Sequence, residues 1–162
     1  VIAVHVFHLV PGWRLALAEV GRVLAPGGLL LVGRNDSDRQ PEEELLWDAW
    51  HSEIPRERTT AVGVPRERSD LFPLDEGWMQ VGKPLVHSFL TTRTLRAFFD
   101  RMEKRIWSSS WRLTDDEIAR GLAAVRAAAK ANNLDLDAPF EHEQRFSVRA
   151  YQPPGHRAEP AD

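Results

Sequence analysis

The chain has 162 residues, no cysteine and a formal net charge of −3, and 43% of its residues are hydrophobic. This length fits one domain of ordinary size, and the absence of cysteine excludes disulfides, thiolate metal ligands and cysteine nucleophiles. The acidic balance gives no basic footprint for nucleic acid, and no apolar run approaches the roughly 18 residues of a membrane span. Since no signal-peptide pattern opens the chain, these properties favour a cytoplasmic enzyme or binding domain.

Residues 1–32 are predicted to form a strand, a helix and a second strand. Residues 1–7 are a nearly continuous apolar run, typical of a strand buried on both faces of a parallel sheet. An apolar stripe with helical spacing follows, made of Trp13, Ala16, Leu17, Val20 and Leu24. A proline and two glycines at 26–28 end that helix and reverse the chain, and residues 29–32 are a second buried run. The pattern predicts a βαβ crossover.

Two short motifs lie in this stretch: H-x-x-P after the first strand, and E-x-x-R-V-L-x-P-G-G-x-L across the helix and the turn. The matching residues are His8, Pro11, Glu19, Arg22, Val23, Leu24, Pro26, Gly27, Gly28 and Leu30. On these residues, about the first 33 of the chain resemble class I S-adenosylmethionine-dependent methyltransferases, in their small-molecule, type 11-like branch. The resemblance implies the C-terminal half only of such a domain.

The first residue is Val rather than Met and lies inside a predicted strand, so we expect the chain to be a fragment. The sequence has no glycine-rich G-x-G-x-G turn followed by an acidic residue for ribose, the features that hold most of the cofactor in the resembled family. We therefore expect the isolated chain to be inactive. We also expect residues 1–7 to be exposed and to promote self-association.

The middle of the chain is predicted to be one helix and then an irregular interval. Pro41 suits a first helical turn, and Pro55 ends that helix. Residues 54–84 are rich in proline, and in the resembled family this interval often carries a cap over the substrate. Four arginines here either clamp an anion or lie in a solvated loop, neutralised by Glu57 and Glu67, and the solvated loop is favoured. They are Arg56, Arg58, Arg66 and Arg68.

The last part of the chain, from residue 85 onward, is predicted to form two strands and two helices. Residues 85–90 are predicted to be a strand, followed by a helix capped by Thr91 or Thr92. The apolar stripe of that helix is Leu95, Phe98, Phe99, Met102 and Ile106. A capping box at 114–117 begins the next helix. Residues 143–151 alternate as an antiparallel strand, with Tyr151 on the polar face.

The predicted fold class is α/β, with four strands and flanking helices. In the resembled fold they are strands four to seven of a Rossmann-like sheet, the last one antiparallel beside the fifth. The predicted organisation is one domain over 1–151, with the cap at 54–84 and a disordered tail at 152–162.

The candidate site residues follow from the resemblance. Val4, His5 and Val6 are expected to border the methionine arm of S-adenosylmethionine, and His8 to orient substrate or take a proton. Each histidine is alternatively a hydrogen-bonded residue at the start of a loop. Trp13 and Trp78 are expected to contact the substrate, and no metal site is expected.

The resemblance implies S-adenosylmethionine-dependent methyl transfer to a small-molecule acceptor, without a nucleic-acid or membrane partner. The sequence indicates neither the acceptor nor an oligomeric state. A non-catalytic binding or interaction domain with the same half-sheet is the alternative. A nicotinamide-dependent reductase is a third hypothesis, which the P-G-G turn disfavours.

Overall fold

The computed structural model describes residues 1–36 and 38–155, which form two compact units. The sheet unit consists of residues 1–36, 61–88 and 145–155, and the helical unit of residues 38–60 and 89–144. The predicted tail at 152–162 lies largely outside the described residues.

The strands are β1 (Ile2–Val4), β2 (Leu30–Asp36), β3 (Met79–Arg93) and β4 (Phe140–Gln152). The helices are α1 (Trp13–Val23), α2 (Pro41–Glu53), α3 (Arg56–Thr59), α4 (Phe72–Asp75), α5 (Arg96–Glu103) and α6 (Asp115–Ala131). Short 3-10 turns occur at Phe7–Leu9, Arg66–Arg68 and Ser108–Ser110.

The sheet is mixed, with the strand order β1-β2-β4-β3. β1 and β2 run parallel, with Ile2 opposite Leu31, and α1 connects them. β4 runs antiparallel to β2, with Leu30 opposite Tyr151. The predicted βαβ unit is therefore confirmed, as is the expectation that the last strand lies antiparallel beside the second of the four.

The first strand differs from its prediction. β1 ends at Val4, because His5 takes a left-handed conformation with φ 49°. Ala3 is buried, but Ile2 is 74% exposed and Val4 44% exposed. Burial on both faces was therefore a wrong prediction: in the described sheet β1 has a neighbour on one side only, and only one of its faces packs on the core.

The core of the sheet unit forms around Phe72, which is fully buried. Its ring lies 4.5 Å from that of Phe7 and 5.5 Å from that of Trp13. Val64 and Trp78 belong to the same cluster. Much of the interval expected to be irregular therefore contributes core side chains, while its role as a cap stays a prediction.

β3 is longer than predicted and begins at Met79 rather than at residue 85. It also contains Thr91 and Thr92, so the prediction that one of them caps the next helix is wrong. α5 instead has Leu95 at its N-cap, without a side-chain hydrogen bond.

In the helical unit, α2 packs along α6. Trp50 of α2 is 1% exposed and lies against Gly121 of α6. The predicted capping box is confirmed, because Thr114 Oγ1 accepts the N–H of Glu117 and the Glu117 carboxylate accepts the N–H of Thr114. Ile106 was predicted to lie on the core stripe of α5 and is 58% exposed. That prediction is wrong because α5 ends at Glu103, two residues before Arg105 takes a positive φ.

Candidate functional site

A small open cleft lies at the carboxyl ends of β1 and β2. Its walls are both apolar and polar. The lining residues are Ala3, His5, Val6, Phe7, His8, Val32, Gly33, Arg34 and Ser69. Ligands of open α/β sheets bind at this edge, beyond the carboxyl ends of parallel strands.

The turn after β1 positions the two histidines of the cleft. The left-handed His5 redirects the chain into the 3-10 turn Phe7–Leu9. The backbone N–H groups of Gly63 and Val64 donate to the carbonyl oxygens of His8 and Phe7, over 3.0 and 3.1 Å. A Cβ atom at residue 63 would overlap the carbonyl oxygen of Phe7, so this close approach of two backbones requires glycine.

His5 is fixed by a backbone hydrogen bond, because the N–H of Asn35 donates to its Nε2 over 3.1 Å. Burial and the nearby positive charge of Arg34 lower the pKa of His5. With Nε2 as the acceptor, the neutral ring carries its proton on Nδ1. His5 is therefore an uncharged ring held in one orientation at the end of β1.

His8 is half-buried on the same turn. Burial, and then the repulsion that a protonated His5 would exert, lower the pKa of His8. An imidazole with a lowered pKa is neutral near pH 7 and can accept a proton. This protonation state is the one that a general base requires.

A buried polar network adjoins the cleft through Arg34. Arg34 donates to Oδ1 of Asp70 over 3.0 Å, and Arg149 donates to Oδ2 over 2.8 Å. Arg149 also donates to Gln80, and the hydroxyl of Tyr151 donates to the carbonyl oxygen of Asp70. Burial raises the pKa of Asp70, but the hydrogen bonds from Arg149 and Arg34 and their charges outweigh it, so the net pKa is lowered.

The sequence analysis missed this network because its members lie 36 and 79 positions apart in the chain. Tyr151 was predicted to lie on the polar face of the last strand and is fully buried instead. Neither Arg34 nor Arg149 is near Asp70 in the sequence, so no local pattern indicates that they pair with it.

Of the predicted cofactor-binding residues, the structure brings His5 and Val6 into the cleft beside His8. Val4 does not line the cleft and is 44% exposed. Trp13 and Trp78 are 8% and 5% exposed and belong to the core of the sheet unit. The roles predicted for these six residues stay predictions.

Three of the four arginines considered as an anion clamp have separate partners in the structure. Arg56 pairs with Asp48 and Arg58 with Glu117 in the helical unit, while Arg68 pairs with Asp75 in the sheet unit. This supports the solvated-loop interpretation, but the neutralising partners are these acids rather than the neighbouring glutamates that the sequence suggested.

Within residues 1–36 and 38–155, no group of three or more His, Asp or Glu side chains is placed to hold a metal ion. No helix in that part of the chain is both long enough and apolar enough to span a bilayer.

Comparison with solved structures shows the fold. A proposed type II methyltransferase from Anaeromyxobacter dehalogenans aligns over 92% of this chain and 62% of its own, with a TM-score of 0.52 and 19% identity. A proposed methyltransferase from Bacillus halodurans aligns over 94% of this chain and 68% of its own, with a TM-score of 0.45 and 14% identity. The MccD protein aligns over 90% and 57%, with a TM-score of 0.36 and 14% identity.

The chain thus has an α/β fold similar to that of the Anaeromyxobacter protein, and it spans less than two thirds of that protein's length. No model of a known protein family matches the sequence, and no curated protein matches it.

Proposed function

We propose that the protein containing this chain transfers the methyl group of S-adenosylmethionine to a small-molecule acceptor. One observation carries the proposal: His5, Val6 and His8 meet in one cleft at the carboxyl ends of the parallel strands β1 and β2. The sequence resemblance and the methyltransferase fold of the Anaeromyxobacter protein support it. In this proposal the four strands correspond to strands four to seven of a methyltransferase sheet.

The lining of the cleft fits part of this cofactor. Apolar walls from Ala3, Val6 and Val32 suit the methionine arm. The rings of His5 and His8 are neutral, and the positive charge of Arg34 in the same wall is paired with Asp70. The glycine-rich turn and the acidic ribose ligand expected for the remainder of the cofactor do not occur in the sequence.

S-adenosylmethionine supplies an activated methyl group when it is bound. The protein then has to align the acceptor and, for a hydroxyl acceptor, remove its proton. In the proposed mechanism, the fixed ring of His5 shapes the cleft, and neutral His8 accepts the proton of the acceptor. Because the pKa of each histidine is lowered, both rings are neutral at pH 7.

The test uses the full natural protein that contains this sequence. Binding of labelled S-adenosylmethionine is measured by equilibrium dialysis, and methyl transfer is measured with a panel of small hydroxyl, amine and thiol acceptors. For a hydroxyl acceptor we expect His8→Gln to lower kcat by about 100-fold with little change in cofactor affinity, since a general base contributes about that much or more. His87→Gln, an exposed histidine of β3, is the matched control and keeps full activity.

Absence of S-adenosylmethionine binding by the full protein would overturn the proposal. The alternative, a non-catalytic binding or interaction domain, would then lead. The exposed apolar side chains of Ile2, Val4 and Val6 favour that alternative, because they offer a surface on which a partner could pack.

A further inference from the structure

His142 is a buried histidine that the proposed methyl transfer does not use. It lies near the start of β4 in the helical unit and is 2% exposed. Its Nε2 has no hydrogen-bond partner among the described residues. Leaving a buried polar atom unpaired costs about 1–3 kcal/mol, so native proteins rarely keep one without a use.

Arg93 is a second polar side chain in the same unit. It ends β3, the neighbour of β4 in the sheet, and is half-buried. Its guanidinium has no hydrogen bond or ion pair with a described residue. Arg96, only three residues later, shows the contrast: it donates to both carboxylate oxygens of Asp137, over 2.5 and 2.7 Å.

The two groups lie at the same end of neighbouring strands, because β3 ends and β4 begins within the helical unit. Burial, and then the charge of Arg93, lower the pKa of His142, while Glu43 and Asp38 act in the opposite direction. The Glu43 carboxylate accepts the backbone N–H of Gln40 at the start of α2. The charge of Glu43 also raises the pKa of Arg93, but no ion pair joins these two side chains among the described residues.

Arg101 also acts on this neighbourhood but is engaged elsewhere. Burial, and then the charge of Arg101, lower the pKa of Arg93. The guanidinium of Arg101 lies over the ring of Trp107, 5.7 Å from its centroid. Arg93 and His142 thus lie on neighbouring strands, and neither the Arg93 guanidinium nor Nε2 of His142 is hydrogen-bonded to an acceptor among the described residues.

We propose that Arg93 and His142 together bind the carboxylate group of a small molecule. The planar fork of a guanidinium matches a carboxylate with two parallel hydrogen bonds, and the Nε2–H tautomer of His142 donates a third. The enclosure of His142 favours a small planar anion over the bulkier, tetrahedral phosphate. This site is formed by β3 and β4 within the helical unit and does not rest on the methyl-transfer proposal.

The experiment titrates the protein with acetate as the probe, at constant ionic strength, while the imidazole signals of His142 are followed by NMR. His142→Gln assigns those signals. For so small a ligand a Kd near about 1 mM is expected, so saturation is reached by about 50 mM. We expect a saturable shift of the His142 signals that Arg93→Met abolishes. Arg126→Met, which removes an exposed arginine of α6, leaves the shift unchanged.

Inorganic phosphate is the comparison arm, and a weaker shift with phosphate than with acetate is expected. An equal or stronger response to phosphate would overturn the assignment to carboxylates. No saturable shift with acetate, or a shift that survives in Arg93→Met, would overturn the site itself.

A stability measurement separates ligand binding from a structural role. Because Nε2 has no partner, His142→Leu is expected to keep or raise the free energy of unfolding without acetate, and to lose the stabilisation that acetate gives the unmodified protein. A clear loss of stability in His142→Leu without acetate would mean that the ring is needed for folding, and would contradict the proposal.

Discussion

Oδ2 of Asp70 accepts a hydrogen bond of 2.8 Å from Nε of Arg149, although the two residues lie 79 positions apart in the chain. The other carboxylate oxygen accepts from Arg34 of β2. One buried carboxylate therefore joins the segment before α4 to two adjacent strands, and it holds Arg34 at the wall of the cleft.

Replacing Asp70 is expected to be costly. Asp70→Asn leaves Arg34 and Arg149 without their common counter-ion, and breaking a buried ion pair in this way lowers the free energy of unfolding by about 3 kcal/mol. Urea unfolding measures the change. Glu19→Gln is the control, because the Glu19–Arg22 pair on α1 is exposed and its loss should not be measurable. Equal stabilities of the two variants would contradict a structural role for Asp70.

The buried phenol of Tyr151 is expected to make the protein less stable at alkaline pH. Burial raises the pKa of Tyr151 to about 12, whereas the pKa of an unfolded tyrosine is about 10. The folded state therefore keeps the phenol proton while the unfolded state loses it. The contribution is present below pH 10, and about 2–3 kcal/mol is lost as pH rises from about 10 to 12.

This prediction is checked by chemical unfolding across that pH range in the unmodified protein and in Tyr151→Phe. The difference between the two should shrink, or reverse, as pH rises, because only the unmodified protein has a phenol to ionise. Parallel pH profiles would show that Tyr151 keeps an ordinary pKa.

Gly63 is expected to tolerate no side chain. In Gly63→Ala the added methyl group meets the carbonyl oxygens of Phe7 and Val10, which are backbone atoms and cannot rotate away. We expect a loss of about 2 kcal/mol or more in the free energy of unfolding. Gly12→Ala is the matched control, since no atom lies within 4 Å of the new methyl group. Thermal unfolding of both variants measures the difference. A Gly63→Ala protein as stable as the unmodified one would show that the backbone at residue 63 does not approach the turn carrying His8 as closely as described.

Two helical glycines should respond to alanine with opposite signs. Alanine ordinarily stabilises a helix interior by about 0.5–1 kcal/mol relative to glycine. At Gly21 the new methyl group reaches only ordinary contact with Trp78, at 3.4 Å, so Gly21→Ala should be neutral or stabilising. At Gly121 it would lie 2.6 Å from the ring of Trp50, which is itself buried. Gly121→Ala should therefore be destabilising, by about 1–3 kcal/mol from overpacking. Two stabilising substitutions in thermal unfolding would mean that α2 and α6 pack less closely than described.

The elements that the sequence predicted best are those specified by neighbouring residues. α1 follows from its 3.6-residue apolar period, and the start of α6 follows from the reciprocal bonds of Thr114 and Glu117. The parallel pairing of β1 and β2 follows from two apolar runs joined by a helix. Each of these signals lies within one short stretch of chain.

The errors arose where tertiary context decides. Gly82 and Pro84 are typical of a loop, yet they lie within β3, the last strand in the sheet order, where an edge strand accepts such residues. Residue 143 was predicted to begin the last strand, whereas β4 begins at Phe140 and so includes His142. Neither the burial of that histidine nor the pairing of Asp70 with two arginines has a signature among sequence neighbours.

The division of the chain has a consequence for how this protein could be cut or recombined. The chain passes between the sheet unit and the helical unit four times, and β3 and β4 each begin in one and end in the other. Neither unit corresponds to a continuous stretch of gene. Exchange of a single DNA segment therefore cannot transfer one unit without part of the other, so the two should be inherited together.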